Sequence, residues 1–375
     1  MGRRQTAIRT MIAPCRARRL EGLLVVGLAA CIVAPCSLAS DGTKVFGGTT
    51  IAYSRSANDL PTGRRSYTLQ PSVNDRVGPM QMELGLRFEH RGFHATIAVQ
   101  NGWFADVNYV GEDFAYQPIQ HAWIGMEITK QIAIRAGIMP SHIGYESINE
   151  RENLVLSRLY CSDATPYYET GGAVVWQPSD KLTIEGLILN GWQRIVAPND
   201  DLAWGSRITW KPDSTMTFNW GTFYGNMFDR TATLQRPMPN DSWRFYNNFW
   251  AEWKPTTDLT CVAIADVGRQ QQADDSTATV WSVAAIASYR LHDNWRVSAR
   301  AEHFSDPMSV IVGTPQGMGF VASSLSTNID WTFQRNIILR AEMRTLWSAS
   351  EIFPSSRGLK TTDTFGTISI SYRLN

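Results

Sequence analysis

Beyond its first 40 residues the chain has no uncharged apolar run of about 18 residues, the length a helix needs to cross a bilayer, so helical membrane spans are excluded. Cysteine is scarce. Of the five, Cys15, Cys31 and Cys36 fall in the first 40 residues, and Cys161 and Cys261 alone supply no disulfide framework. Two unpaired small residues is the simpler reading. Excess positive charge is missing too. The formal net charge of +1 includes six arginines and one glutamate within residues 1–40, so the remainder carries about −4. Nucleic acid needs a basic face and is excluded as a partner on that count. No nucleophile elbow, phosphate loop or HExxH spacing occurs, and no fixed-period repeat or low-complexity tract. The six histidines are scattered. His90 and His94 flank one turn, where solvated histidines are the better reading than a metal site. Neither a metal nor a cofactor is therefore expected. His142 with Glu146 and Ser147 is the one group that would suit a hydrolase.

What is present begins with a leader. Arg3, Arg4, Arg9, Arg16, Arg18 and Arg19 precede the apolar stretch Leu23 to Val33, and Ser37-Leu38-Ala39 offers small residues where a signal peptidase reads. Residues 1–40 are read as a secretory signal cleaved near Ala39. Leu28-Ala29-Ala30-Cys31 also resembles a lipobox, which would instead make Cys31 a lipidated N-terminus.

The remainder, 41–375, alternates with period two. Trp295, Val297, Ala299 and Ala301 fall opposite Arg296, Ser298, Arg300 and Glu302; Leu339, Ala341 and Met343 fall opposite Arg340, Glu342 and Arg344; Met82, Leu84 and Leu86 fall opposite Glu83, Gly85 and Arg87. Such alternation makes strands with one apolar and one polar face. About sixteen strands (range 14–18) are expected, and residues 148–160 are the only weak helix candidate. Short turns near 91–92, 130, 178–180, 212–213, 255–257, 292–293 and 334–335 alternate with long loops near 55–79, 104–117, 140–165, 192–202, 227–240, 268–277, 305–317 and 348–362. A soluble sandwich has no reason to sort its connections this way. A transmembrane antiparallel up-and-down β-barrel with both termini periplasmic does. The chain's 14 tryptophans fit the same picture, because an indole sits easily at a membrane–water interface. Trp176, Trp210, Trp253, Trp295 and Trp331 lie beside short turns, and Trp103, Trp192 and Trp347 beside long loops.

In such a barrel the apolar face meets lipid and the polar face lines the lumen. The expected pore-lining residues are Arg87, Arg135, Arg244, Arg296, Arg300, Glu302, Arg340, Glu342 and Arg344. The third outer loop, 140–165, carries Glu146, Glu150, Arg151, Glu152, Arg158 and Asp163. Folded inward it would constrict the lumen and set its acids against the wall arginines; left outward it is an ordinary solvated loop. Trp123, Tyr246 and Trp250 face inward and read either as sugar-stacking positions or as lumen packing.

Ala136-Gly137-Ile138-Met139-Pro140, Ile143-Gly144-Tyr145-Glu146, Ser157-Arg158, Thr165-Pro166-Tyr167-Tyr168-Glu169-Thr170-Gly171 and Leu189-Asn190-Gly191-Trp192 together resemble the putative β-barrel porin-2 (OmpL-like) family, most densely over 131–192. The resemblance implies an outer-membrane porin of unassigned substrate and no catalytic residues. A passive channel for small hydrophilic solutes, in contact with outer-membrane lipid and lipopolysaccharide and compatible with a homotrimer, is the resulting expectation. The alternatives are a non-conducting structural or receptor barrel and, more remotely, a barrel hydrolase. One departure stands out: the chain ends Tyr372-Arg373-Leu374-Asn375 rather than on an aromatic residue.

Overall fold

The computed structural model describes residues 42–374 except 61, 228–241, 273–275 and 315–316. The leader, its Cys31 and most of the fifth loop lie outside the described residues. Strands β1 (Thr43–Ser56), β2 (Val77–His90), β3 (Phe93–Asn101), β4 (Ile119–Glu127), β5 (Ile132–Pro140), β6 (Tyr168–Ser179), β7 (Leu182–Leu189) and β8 (Ala203–Trp210) make the first half. The second half holds β9 (Met216–Asn226), β10 (Trp243–Trp253), β11 (Leu259–Gln271), β12 (Thr277–His292), β13 (Trp295–Asp306), β14 (Phe320–Gln334) and β15 (Ile337–Trp347), and ends on β18 (Thr362–Leu374). Each pairs antiparallel with its neighbours, and β1 pairs with β18 from Gly47↔Leu374 to Ser56↔Phe365, closing a sixteen-stranded barrel. Closure leaves no sheet edge, which is what a strand-built membrane span requires. The last long loop adds a small hairpin, β16 (Phe353–Ser355) and β17 (Gly358–Lys360).

Three local departures from the sequence expectation occur. Helices Trp103–Asn108 and Tyr160–Ala164 sit in regions read as loop or strand end. The weak helix candidate at 148–160 holds only a 3-10 turn, Glu150–Glu152, because its acids and serines bond to the barrel wall rather than to its own backbone. No helix among the described residues is long and apolar enough to cross a membrane.

The faces are sorted as a membrane barrel demands. Leu325, Met343 and Ile368 point outward at 55%, 62% and 58% exposure, with Ile97, Ile124, Trp204 and Val283 also exposed. A water-soluble surface does not display so continuous an apolar belt. A hollow of about 1070 Å³, lined by outward residues such as Val297, Ala299, Ile329, Ala341 and Ile368, is a groove in this lipid-facing wall and not part of the lumen. Aromatic rings stack near the strand ends: Trp295 on Trp331 and Trp210 on Phe218 at the short-turn end, Tyr224 on Trp243 at the long-loop end.

Candidate functional site

The lumen is organised by the segment between β5 and β6, residues 141–167, which folds into the barrel. Its root needs glycine. Gly137 and Gly171 face each other across β5 and β6 at φ 128° and 158°, and a Cβ on Gly171 would lie 2.0 Å from the Ile188 carbonyl oxygen. His142 then pins the loop to the wall. Its Nδ1 lies 2.7 Å from Glu169 Oε2 and its Nε2 2.6 Å from the Thr222 carbonyl oxygen. The imidazole fits only because β8 carries glycine there: a Cβ on Gly205 would sit 2.7 Å from the ring. Burial pulls the imidazolium down, and the Glu169 carboxylate more than offsets this, leaving the His142 pKa above the ordinary histidine value.

Further along, Tyr145 packs edge-on against Trp250 at 5.3 Å and donates to Glu252 at 2.8 Å. The loop then crosses to the opposite wall. Glu150, wholly buried, bonds to Thr50, to Ser371 at 2.7 Å and to Arg340 at 2.8 Å. Arg340 also holds Asp330 at 2.8 Å, which Arg296 grips from its other side. Arg151 reaches the short turn after β14, donating to Asn336 O at 2.6 Å. Ser157 donates twice to Glu342, at 2.5 and 2.7 Å, while Arg300 meets Glu342 at 3.3 Å and Arg344 pairs with Glu302. Tyr160 N–H donates to Glu302 at 2.7 Å. Arg300, Arg340 and Arg344 thus each meet an opposite charge and hydrogen-bond acceptors, the condition under which buried ions are tolerated.

Placement of the expected residues follows from this. Arg244, Arg300, Glu302, Arg340, Glu342 and Arg344 lie on the lumen side of their strands but are buried. Arg244 is held by Gln270 and stacks on Trp192 at 4.7 Å. Arg296 and Arg135 are partly open, at 32% and 23% side-chain exposure, and Arg135 pairs with Glu185 at 2.6 Å. Arg87 is exposed. Within the loop, Glu146 is buried 3.9 Å from Arg300 and accepts from Leu159 N–H. Glu152 accepts from Ser147 and sits 3.9 Å from Arg373. Arg158 binds Gln70 at 2.9 Å and stacks on Tyr167 at 4.2 Å. Asp163 accepts from Leu69 N–H and Tyr167 Oη, and burial pushes its carboxyl up to about 6.

The hydrolase grouping is not assembled, since His142 and Ser147 bond to different partners. His94 approaches Glu127 at 3.4 Å, and among the described residues no three metal-ligating side chains converge. Tyr246 is wholly buried against Trp192 and offers no stacking face.

Among the described residues the larger open part of the lumen is a vestibule of about 430 Å³ on the short-turn side of the loop, and a second of about 300 Å³ lies beside Arg151, Arg296 and Asp330. Glu83, Arg87, Glu152, Arg207 and Arg373 give the vestibule charge, His121 lines it as well, and Phe46, Tyr145 and Trp250 give it aromatic faces. Sequence reasoning named Arg87 and Glu152 but missed Phe46, His121 and Arg373. Strand parity could have found all three. It could not reveal which wall the loop would cover. At the long-loop end, Phe104, Tyr109, Tyr167, Tyr168 and Ile195 form an apolar cluster drawn from several loops and the start of β6.

A closed sixteen-stranded barrel with an apolar belt outside, a polar lumen and an inward-folded third loop defines the class of outer-membrane porins. The chain belongs to the family described as Putative beta-barrel porin-2, OmpL-like, which it matches over residues 42–374. No curated protein matches it by sequence. Among solved structures it is similar to the outer-membrane channel DcaP of Acinetobacter baumannii, at 10% identity and TM-score 0.57, covering 88% of this chain and 97% of that one. It is likewise similar to an anion-selective porin from Comamonas acidovorans, at 9% identity and TM-score 0.56, covering 88% and 99%. The trimer form of OmpT of Vibrio cholerae gives 10% identity and TM-score 0.57, covering 88% and 99%. Family and fold are those of the bacterial outer membrane and of pores.

Proposed function

We propose that the protein is a water-filled channel through which small hydrophilic solutes diffuse passively, with the third loop narrowing its lumen. The observation that carries this reading is the charged vestibule between that loop and the wall, lined by Glu83, Arg87, Glu152, Arg207 and Arg373. Fixed charges in a confined aqueous space sort solutes by charge. Residues 1–40 are the export signal removed near Ala39; the family match from residue 42 onward supports that boundary. Short turns and both termini face the periplasm and long loops face outward, as the turn-length asymmetry favours. The outward belt meets lipid and lipopolysaccharide. A homotrimer is the assembly this reading favours, in keeping with the OmpT trimer. No catalytic activity is expected. Reconstitution into a planar bilayer tests the reading: discrete conductance steps with a reproducible reversal potential in a KCl gradient are expected, and a silent bilayer sinks it.

A second reading has one specific observation behind it. Phe104 and Tyr109 are wholly buried at the long-loop mouth with Tyr167, Tyr168 and Ile195 packed against them, an arrangement suited to a barrel occluded at rest. The same recording separates the two. An occluded barrel stays silent until Tyr109→Ala and Phe104→Ala open it.

A further inference from the structure

The described arginines of the lumen wall share a pattern, and the vestibule's Arg87 breaks it. Arg135 and Arg207 share Glu185, Arg296 and Arg340 share Asp330, Arg300 and Arg344 take Glu342 and Glu302, and Arg373 approaches Glu152. Arg244, without an acid, is spent on Gln270 and the Val310 carbonyl. Arg87 has no carboxylate within 4 Å among the described residues. Its guanidinium lies 5.4 Å over the Phe46 ring, which itself fits because Gly85 opposite has no side chain.

The residue directly across β1 from Arg87 is Lys44. Strand alternation puts Lys44 on the same lumen face as Phe46 and Thr50, and both cations are exposed, Arg87 lining the vestibule itself. Like charges directly opposite on neighbouring strands repel and destabilise a sheet. The next residue in this row, Thr96 on β3, is 5% exposed with an unpartnered hydroxyl. The nearest acid along β2, Glu89, belongs to a different row, opposite His94. A local rule broken without compensation inside the fold is where a ligand is to be sought.

We infer that Lys44 and Arg87, the latter over Phe46 near the short-turn mouth of the lumen, form an anion subsite that takes the carboxylate or other oxyanion of a small solute and sets the charge preference of the channel. This rests on the porin reading. An oxyanion between the two side chains relieves their repulsion, accepts from the planar guanidinium fork and from the ammonium, and leaves the rest of the solute over the vestibule.

The test is a reversal-potential measurement in a KCl gradient, repeated with acetate in place of chloride, on the full chain and on Arg87→Gln and Lys44→Glu. The parent is expected to prefer anions. Arg87→Gln is expected to lower the anion-to-cation permeability ratio at least about twofold, since confined charge enriches counter-ions. Lys44→Glu places an acid opposite Arg87, so it is expected to lower the ratio further while raising the melting temperature. A purely structural role for the pair predicts no such split. Unchanged ratios in both variants overturn the subsite while leaving the pore intact. A parent that forms no channel removes the porin reading and the subsite with it.

Discussion

The two halves of the barrel wall use the same residue types to opposite ends. Where the third loop covers β13–β15, Arg300, Arg340, Arg344 and Glu342 are buried and paired, and the loop supplies Glu150 and Ser157 to complete their shells. Around the vestibule, Arg87 is exposed, Arg207 and Arg373 keep 28% and 49% side-chain exposure, and Glu152 keeps 45%. One half is a charged scaffold that holds a loop in place. The other is a charged surface that meets water. Charge in a lumen wall is therefore no guide to selectivity until its partners are known, because a paired, buried arginine presents little field to a passing ion.

The comparison breaks most sharply at Arg340. Arg340→Met strands Glu150 with hydroxyl partners only and leaves Asp330 with Arg296 and the Asn328 amide. Removing one member of a buried charge set costs about 3–5 kcal/mol. Thermal unfolding of the folded barrel should show a large loss, and single-channel traces should become noisy as the loop loosens. A variant as stable as the parent would mean that the scaffold half is not held by these pairs.

How much of this the sequence carries differs by level. The sixteen strands and their turns are legible because each strand has one lipid face, so a register error of one residue would expose every charge to lipid. The glycines at the loop root and the Ile143 to Glu146 stretch belong to the family-like pattern, and they do shape the root of the third loop. The division of the lumen wall is not legible. Arg87 and Arg344 look alike along the chain, alternating with apolar neighbours on strands of similar length. What separates them is a loop whose contacts lie 185 residues apart in sequence, as between Ser157 and Glu342. Period-two patterning carries the direction in which a side chain points and nothing about what will cover it.

A smaller effect is expected where the loop leaves the wall. Both His142 nitrogens face acceptors, so the pinned state holds the proton that makes the ring a double donor. Its folded pKa lies above the ordinary value of about 6.5. The sign follows: the contribution is complete below the unfolded pKa and is lost as pH rises through the folded one. Loop anchoring should therefore weaken on the alkaline side, read as rising open-channel noise or faster protease cleavage within 141–167. His142→Gln should cost about 1–3 kcal/mol at neutral pH and flatten that dependence. An identical pH profile in parent and variant would remove the histidine from the account.

The smallest change in stability, and the one that most sharpens the contrast, is expected at Arg207. It shares Glu185 with Arg135, which holds the same carboxylate at 2.6 Å, so Arg207→Gln leaves no acid without a cation. Its side chain is 28% exposed, and water screens what it loses. The stability cost should be below about 1 kcal/mol. Yet the guanidinium borders the vestibule, and its removal changes the charge seen by any ion crossing there. Melting should barely move while single-channel conductance or reversal potential shifts, the reverse of Arg340→Met. If instead Arg207→Gln melts early with unaltered conductance, the line between scaffold and water-facing wall has been drawn on the wrong side of β8.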